Sequence, residues 1–233
     1  MKIIRFILCA WLMTAGATVF AQETWQRALS QMPLNANATE LNRTNCVPLM
    51  LNAFQPNDTV KALIFMPGAT DEIYFFKRAR ATLTNGNPSL LDAVIALTNQ
   101  TYIQATFRPP LLLLYTTEDA LDDFATVKNE STAMKLRRTP LPGHFIFDDN
   151  DWDAVLTSLH KKLTVGLRPS RGSAGSWHFY RHCFSVYDLT EWEMLESLAL
   201  AGKTEFTVHW RTVDFQPDDR HGPVPKIEKF PGT

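Results

Sequence analysis

The sequence predicts an α/β fold: a mostly parallel sheet with helices on both faces, plus a small C-terminal strand-helix-strand extension. Three observations lead there. Apolar runs at 60–66, broken only by Lys61, and at 111–115 fit strands buried on both faces, as in a parallel sheet covered by helices. Segments with helical spacing of apolar residues alternate with these runs, as βαβ connections require. The composition is that of an ordinary folded domain, 45% hydrophobic, 20% charged and 11% aromatic over 233 residues.

Taken in order, residues 23–32 put Trp25, Ala28, Leu29 and Met32 on one helical face, and the Asn/Thr-rich stretch 33–45 reads as a surface loop. A short strand is expected at 47–54, a turn at Gln55-Pro56-Asn57-Asp58, and then the buried strand 60–66, which Pro67-Gly68 ends. Residues 71–83 can form a helix carrying Ile73, Phe76, Ala79 and Leu83. The turn Asn85-Gly86-Asn87-Pro88 leads to Ser89, which with Asp92 makes a variant capping box for a helix over 90–99. Ile103, Ala105 and Phe107 alternate with Tyr102, Gln104, Thr106 and Arg108, which is strand periodicity, and a fully apolar strand follows Pro109-Pro110 at 111–115.

A helix is expected at 119–127, a strand at 143–147, and a helix over 151–163 with Val155, Leu156, Leu159 and Leu163 along one face. The Gly/Ser/Arg-rich stretch 166–176 reads as a loop or internal boundary. Beyond it come a strand at 178–187, a helix at 190–202 opened by a Thr190/Glu193 capping box, and a strand at 204–215. The chain thus divides into a signal peptide at 1–21, a core domain at 22–165, an extension packed on it at 166–215, and a Pro-rich polar tail at 216–233.

The signal-peptide reading rests on Lys2 and Arg5 ahead of an uncharged run from Phe6 to Phe20, with Val19-Phe20-Ala21 placing cleavage after Ala21. An uncleaved anchor helix is the alternative, but a span needs about twenty apolar residues. No later stretch is long and apolar enough to span a bilayer. With 23 basic against 24 acidic side chains, and 21 against 24 once Lys2 and Arg5 are removed, there is no positive excess to hold a nucleic-acid backbone or an anionic membrane surface. Nucleic acid is therefore not an expected partner. Export places the chain in the periplasm or outside the cell.

Two cysteines remain after cleavage, Cys46 and Cys183, and an even number in an exported chain invites a disulfide; two buried thiols acting as small hydrophobes are the other option. Asn37, Asn42, Asn57, Asn99 and Asn129 each precede a Ser or Thr by two positions, which is a glycosylation signal only in a eukaryotic secretory route.

No cofactor or metal motif is complete. The acidic run Asp148 to Asp153 lacks the Gly and Glu of a calcium loop, with Ala154 and His160 in their places, and fits helix capping by Asp149 or Asp151. His178 and His182 on a strand would stand about 13 Å apart, too far to share one ion, and no paired-cysteine or phosphate-loop pattern occurs.

Ligands of open α/β sheets bind outside the carboxyl ends of strands, so residues just beyond buried strands are the first candidates. Asp119 follows the strand at 111–115, and His144 follows Pro142-Gly143 ahead of the last amphipathic helix of the core. This Asp-then-His order, over about fifty residues, resembles the end of an α/β-hydrolase domain. The resemblance implies that Asp119 orients His144 as general base, with Ser89 or a bound water as the attacking group, and that Gly68 and Ala69 form the oxyanion loop, with Thr117 beside the same site. The Gly-x-Ser-x-Gly nucleophile turn of that fold is absent. The leading expectation is accordingly a non-catalytic binding or accessory protein of the cell envelope or extracellular space, taking a small molecule or an envelope protein. The alternative is a shortened α/β-hydrolase-like ester or amide hydrolase.

Overall fold

The computed structural model describes residues 24–34, 39–67, 76–116, 124–169 and 181–217. A first helix, α1 (24–30), is followed by β1 (Glu40–Asn42), α2 (Cys46–Ala53), β2 (Ala62–Phe65), β3 (Arg80–Thr82), α3 (Leu90–Gln100), β4 (Ile103–Arg108), β5 (Leu111–Thr116) and β6 (Ala125–Val127). Then come α4 (Glu130–Arg138), β7 (Pro140–Asn150), α5 (Trp152–Leu159), β8 (Gly166–Pro169), β9 (His182–Thr190), α6 (Glu191–Gly202), β10 (Thr204–Val208) and β11 (Thr212–Pro217).

The class is α/β, but the sheets are mixed rather than mostly parallel. A five-stranded sheet has the order β4-β5-β2-β9-β7, and only its β2/β5 pair is parallel. A four-stranded sheet has the order β6-β10-β11-β8, and β1 pairs with β3. The reason is visible in connection lengths. A parallel neighbour needs a crossover of a dozen or more residues, whereas Pro109-Pro110 alone joins β4 to β5, so those strands must form an antiparallel hairpin. His209 to Arg211 likewise fold the expected single strand at 204–215 into the β10/β11 hairpin.

Several local expectations change. The expected strand at 47–54 is α2, because Cys46, Val47, Met50 and Leu51 share one helical face and Pro48 falls in the first turn, where proline is tolerated. Within the expected helix 71–83, residues 80–82 are a strand; within the expected helix 119–127, residues 125–127 are one. Both are three residues long and exist through their partners β1 and β10. The expected loop at 166–176 begins as β8, paired in parallel with β11. A largely polar helix, α4, buries only Thr132, Ala133 and Leu136, which leaves almost no apolar signal to read.

Three caps agree with the sequence. Ser89 and Thr190 open α3 and α6 with reciprocal capping boxes to Asp92 and Glu193, and Asp151 caps α5 through a 2.8 Å bond from the Ala154 amide.

The two faces of the five-stranded sheet bury separate cores. On one, Leu63, Phe65, Leu112, Leu114 and Cys183 pack against α1, α2 and α3. On the other, Ile64, Leu113, Phe184 and Val186 meet α6, whose far side packs on Phe206 and Phe215 of the four-stranded sheet. Lying between two sheets, α6 is buried nearly all round. Even Glu191 in its first turn is buried, its carboxylate accepting from the Thr164 amide at 3.0 Å and hydroxyl at 2.7 Å. Each sheet draws strands from both sides of residue 165: β9 lies between β2 and β7 in the five-stranded sheet, and β6 is an edge strand of the four-stranded one.

Candidate functional site

Of the residues singled out in sequence, Ser89, His144, Cys46 and Cys183 fall among the described residues. Gly68, Ala69, Thr117 and Asp119 lie outside the described residues. Ser89 is committed to α3: its hydroxyl donates to Asp92 Oδ2 at 2.6 Å and accepts from the Asp92 amide at 3.2 Å. That pairing holds the Asp92 carboxyl below the usual aspartate value. Ser89→Ala is expected to cost about 1 kcal/mol in urea unfolding, the usual value of an N-cap.

His144 sits on β7, the last strand of its sheet, opposite Tyr187. Its Nε2 lies 2.8 Å from Ser185 Oγ, a diagonal cross-strand contact. A histidine bonded to a serine is half of a hydrolytic arrangement, and the serine is one that sequence reading did not select. Ser185 is fully buried in the middle of β9, however, so its hydroxyl can orient the imidazole but cannot meet a substrate from solvent.

The Cys46 and Cys183 side chains are two buried thiols with no disulfide between them. Burial pushes the Cys183 thiol up to about 12, so it is a poor nucleophile. Among the described residues no group of His, Cys, Asp and Glu is arranged to hold a metal ion, and no helix is long and apolar enough to cross a membrane.

A concavity lies elsewhere among the described residues. A cavity of about 600 Å3 opens beside α6, between the β4/β5 turn and β6. It is at the amino end of β5, opposite the end where Thr117 would have placed a ligand. The carboxyl-end rule belongs to parallel sheets; in a mixed sheet, strand ends of both polarities share an edge.

Its walls come from five places in the chain, Phe206 of β10 among them. Arg108, Pro109, Pro110 and Leu111 form one side, with a cis Pro109-Pro110 bond. Phe124 and Ala125 form another, and Trp192, Glu193 and Glu196 project from α6. Arg137 of α4 lies 4.2 Å from the Trp192 ring centre and 3.2 Å from Glu130 Oε1, so its guanidinium is fixed by stacking and by charge. Glu193 Oε2 is held by Thr190, at 2.7 Å from the amide and 2.9 Å from the hydroxyl.

Glu196 is the polar group with the least committed chemistry. Burial raises its carboxyl above the ordinary glutamate value; a hydrogen bond from Trp192 opposes this, Glu193 adds to it, and Arg108 and Arg137 oppose it. The cavity thus presents two cations, two carboxyls and aromatic walls. Its lining includes no Ser, Cys or His. One signal in the sequence pointed here: Glu193 and Glu196 stand three apart in a helix that, apart from Glu191 and Ser197, is otherwise apolar.

The fold and site together define a mixed α/β protein with a central helix between two sheets and a cavity along that helix. Comparison with protein-family models, with curated proteins and with solved structures returned no match to this chain.

Proposed function

We propose that this is an exported, non-catalytic binding protein whose ligand is a small molecule with an apolar body and charged ends, held in the cavity beside α6. One observation carries the reading: a cavity of about 600 Å3 lined by aromatic and apolar side chains and by charges of both signs, with no Ser, Cys or His in its lining. That volume is the size class of small-molecule sites, which are mostly apolar with a few placed polar groups. Export is supported by Lys2 and Arg5 ahead of the apolar run 6–20 and by the cleavage pattern at Ala21.

The test is a thermal-shift screen with zwitterionic amphiphiles, repeated on Ala125→Phe, which puts a ring into the cavity from the β6 wall. A ligand at a hundred times its Kd stabilises by about 2.7 kcal/mol, and Ala125→Phe should abolish that gain while the unliganded protein still melts cooperatively. Binding that survives the substitution would move the site elsewhere. Turnover of a p-nitrophenyl ester panel that disappears in His144→Ala would replace this reading with the hydrolase.

A further inference from the structure

We propose that the protein self-associates through the outer edge of β7, two copies pairing antiparallel about a two-fold axis at Ile146. Their five-stranded sheets then become one. This interface is independent of the cavity beside α6.

The backbone points the right way. The Tyr187 amide donates to the Lys61 carbonyl at 2.9 Å, on the β2 side of β9. By the alternation of an antiparallel ladder, Phe184 and Val186 face β7 and meet Phe147 and Phe145 there. The backbone groups of His144, Ile146 and Asp148 therefore point away from the sheet. The Asp148 amide donates to Asn150 Oδ1 at 3.0 Å and exchanges that bond for the partner's His144 carbonyl on pairing; among the described residues no strand pairs with this edge.

The side chains also fit a partner. Ile146 is 56% exposed on the edge strand, and Tyr187 of the neighbouring β9 is 39% exposed on the same sheet face. Register shifts between Leu141 and His144 and between Phe147 and Asn150 confine the regular edge to the short stretch 144–147, which holds neither Lys nor Pro.

The register follows from hydrogen-bonding complementarity. In antiparallel self-pairing centred on Ile146, each His144 ring lies opposite the Asp148 carboxylate of the second copy, so the complementary pair forms twice and the two Ile146 side chains meet at the axis. Centring on Phe145 would instead set Ile146 against His144 and Asp148 against Pro142, with no such pairing. Ser185 occupies Nε2 of His144 and leaves Nδ1 for the partner carboxylate.

Sedimentation equilibrium of the purified protein across micromolar concentrations should give the mass of two chains. Ile146→Lys, which opposes two charges at the axis, should raise the dissociation constant by about tenfold or more while the variant still unfolds cooperatively. His144→Asp should do the same, and adding Asp148→His in the same chain should restore the dimer. Ile146→Cys should form an intermolecular disulfide on oxidation, since opposed residues stand about 5.5 Å apart between α-carbons, whereas Ile95→Cys on α3 should not. A single-chain mass throughout overturns the proposal. So does a dimer that persists in Ile146→Lys, or cross-linking of Ile146→Cys no greater than that of Ile95→Cys.

Discussion

Between pH 6.5 and pH 4 the protein is expected to lose on the order of 3 kcal/mol of stability through one residue, His182. Its side chain is 1% exposed, neither ring nitrogen makes a hydrogen bond, and the ring lies against Trp152 with centroids 4.9 Å apart. Burial pushes the imidazole down to about 4; its cross-strand neighbour Asn150 and the Asp151 carboxylate pull weakly the other way. The unfolded chain takes up a proton near pH 6.5, whereas the folded chain resists until about pH 4. Stability is therefore complete above the first value and falls as pH drops through the second. Asp148 and Glu196, whose carboxyls are raised by burial, act in the opposite sense, because the fold favours their protonated forms. Urea unfolding at a series of pH values should show the loss in the native chain and its absence in His182→Leu. Parallel pH profiles for the two would place the acid sensitivity elsewhere.

Gly202→Ala should destabilise the protein by about 1–3 kcal/mol, although the same change within a helix ordinarily stabilises by about 0.5–1 kcal/mol. An added Cβ would lie 2.7 Å from His182 Nε2 and 3.4 Å from the Trp152 ring. The imidazole cannot swing aside, since it is buried between Trp152 and the end of α6. The sign is thus decided by packing rather than by helix propensity. In a His182→Ala background the clash is gone, and Gly202→Ala should be neutral or stabilising there. A stabilising effect in the native background would show that the ring has room to move.

The candidate site was only partly legible. The sequence located the Pro109-Pro110 break and the Thr190/Glu193 cap, and both now line the cavity, but each was read for its local role. Their meeting with Arg137 and Phe124 depends on α6 lying between two sheets, which no local pattern announces. Ser185 escaped notice for the same reason. It becomes the partner of His144 through the β7/β9 register, across forty-one residues of chain.

What the sequence determined by itself was the chemistry within a helix turn or a single strand. The capping boxes at Ser89 and Thr190, the Asp151 cap, and the apolar strands β2 and β5 follow from residues a few positions apart, whose bonds form whatever the rest of the chain does. Tertiary structure decided what depends on a distant partner. It set the antiparallel neighbours of β2 and β5, made strands of the three-residue pieces β3 and β6, and gave Cys46 and Cys183 their state as buried thiols. Three residues gain too little from their own propensity to hold an extended shape. They do so because a partner strand supplies the hydrogen bonds, and that partner is named by the fold rather than by neighbours in sequence.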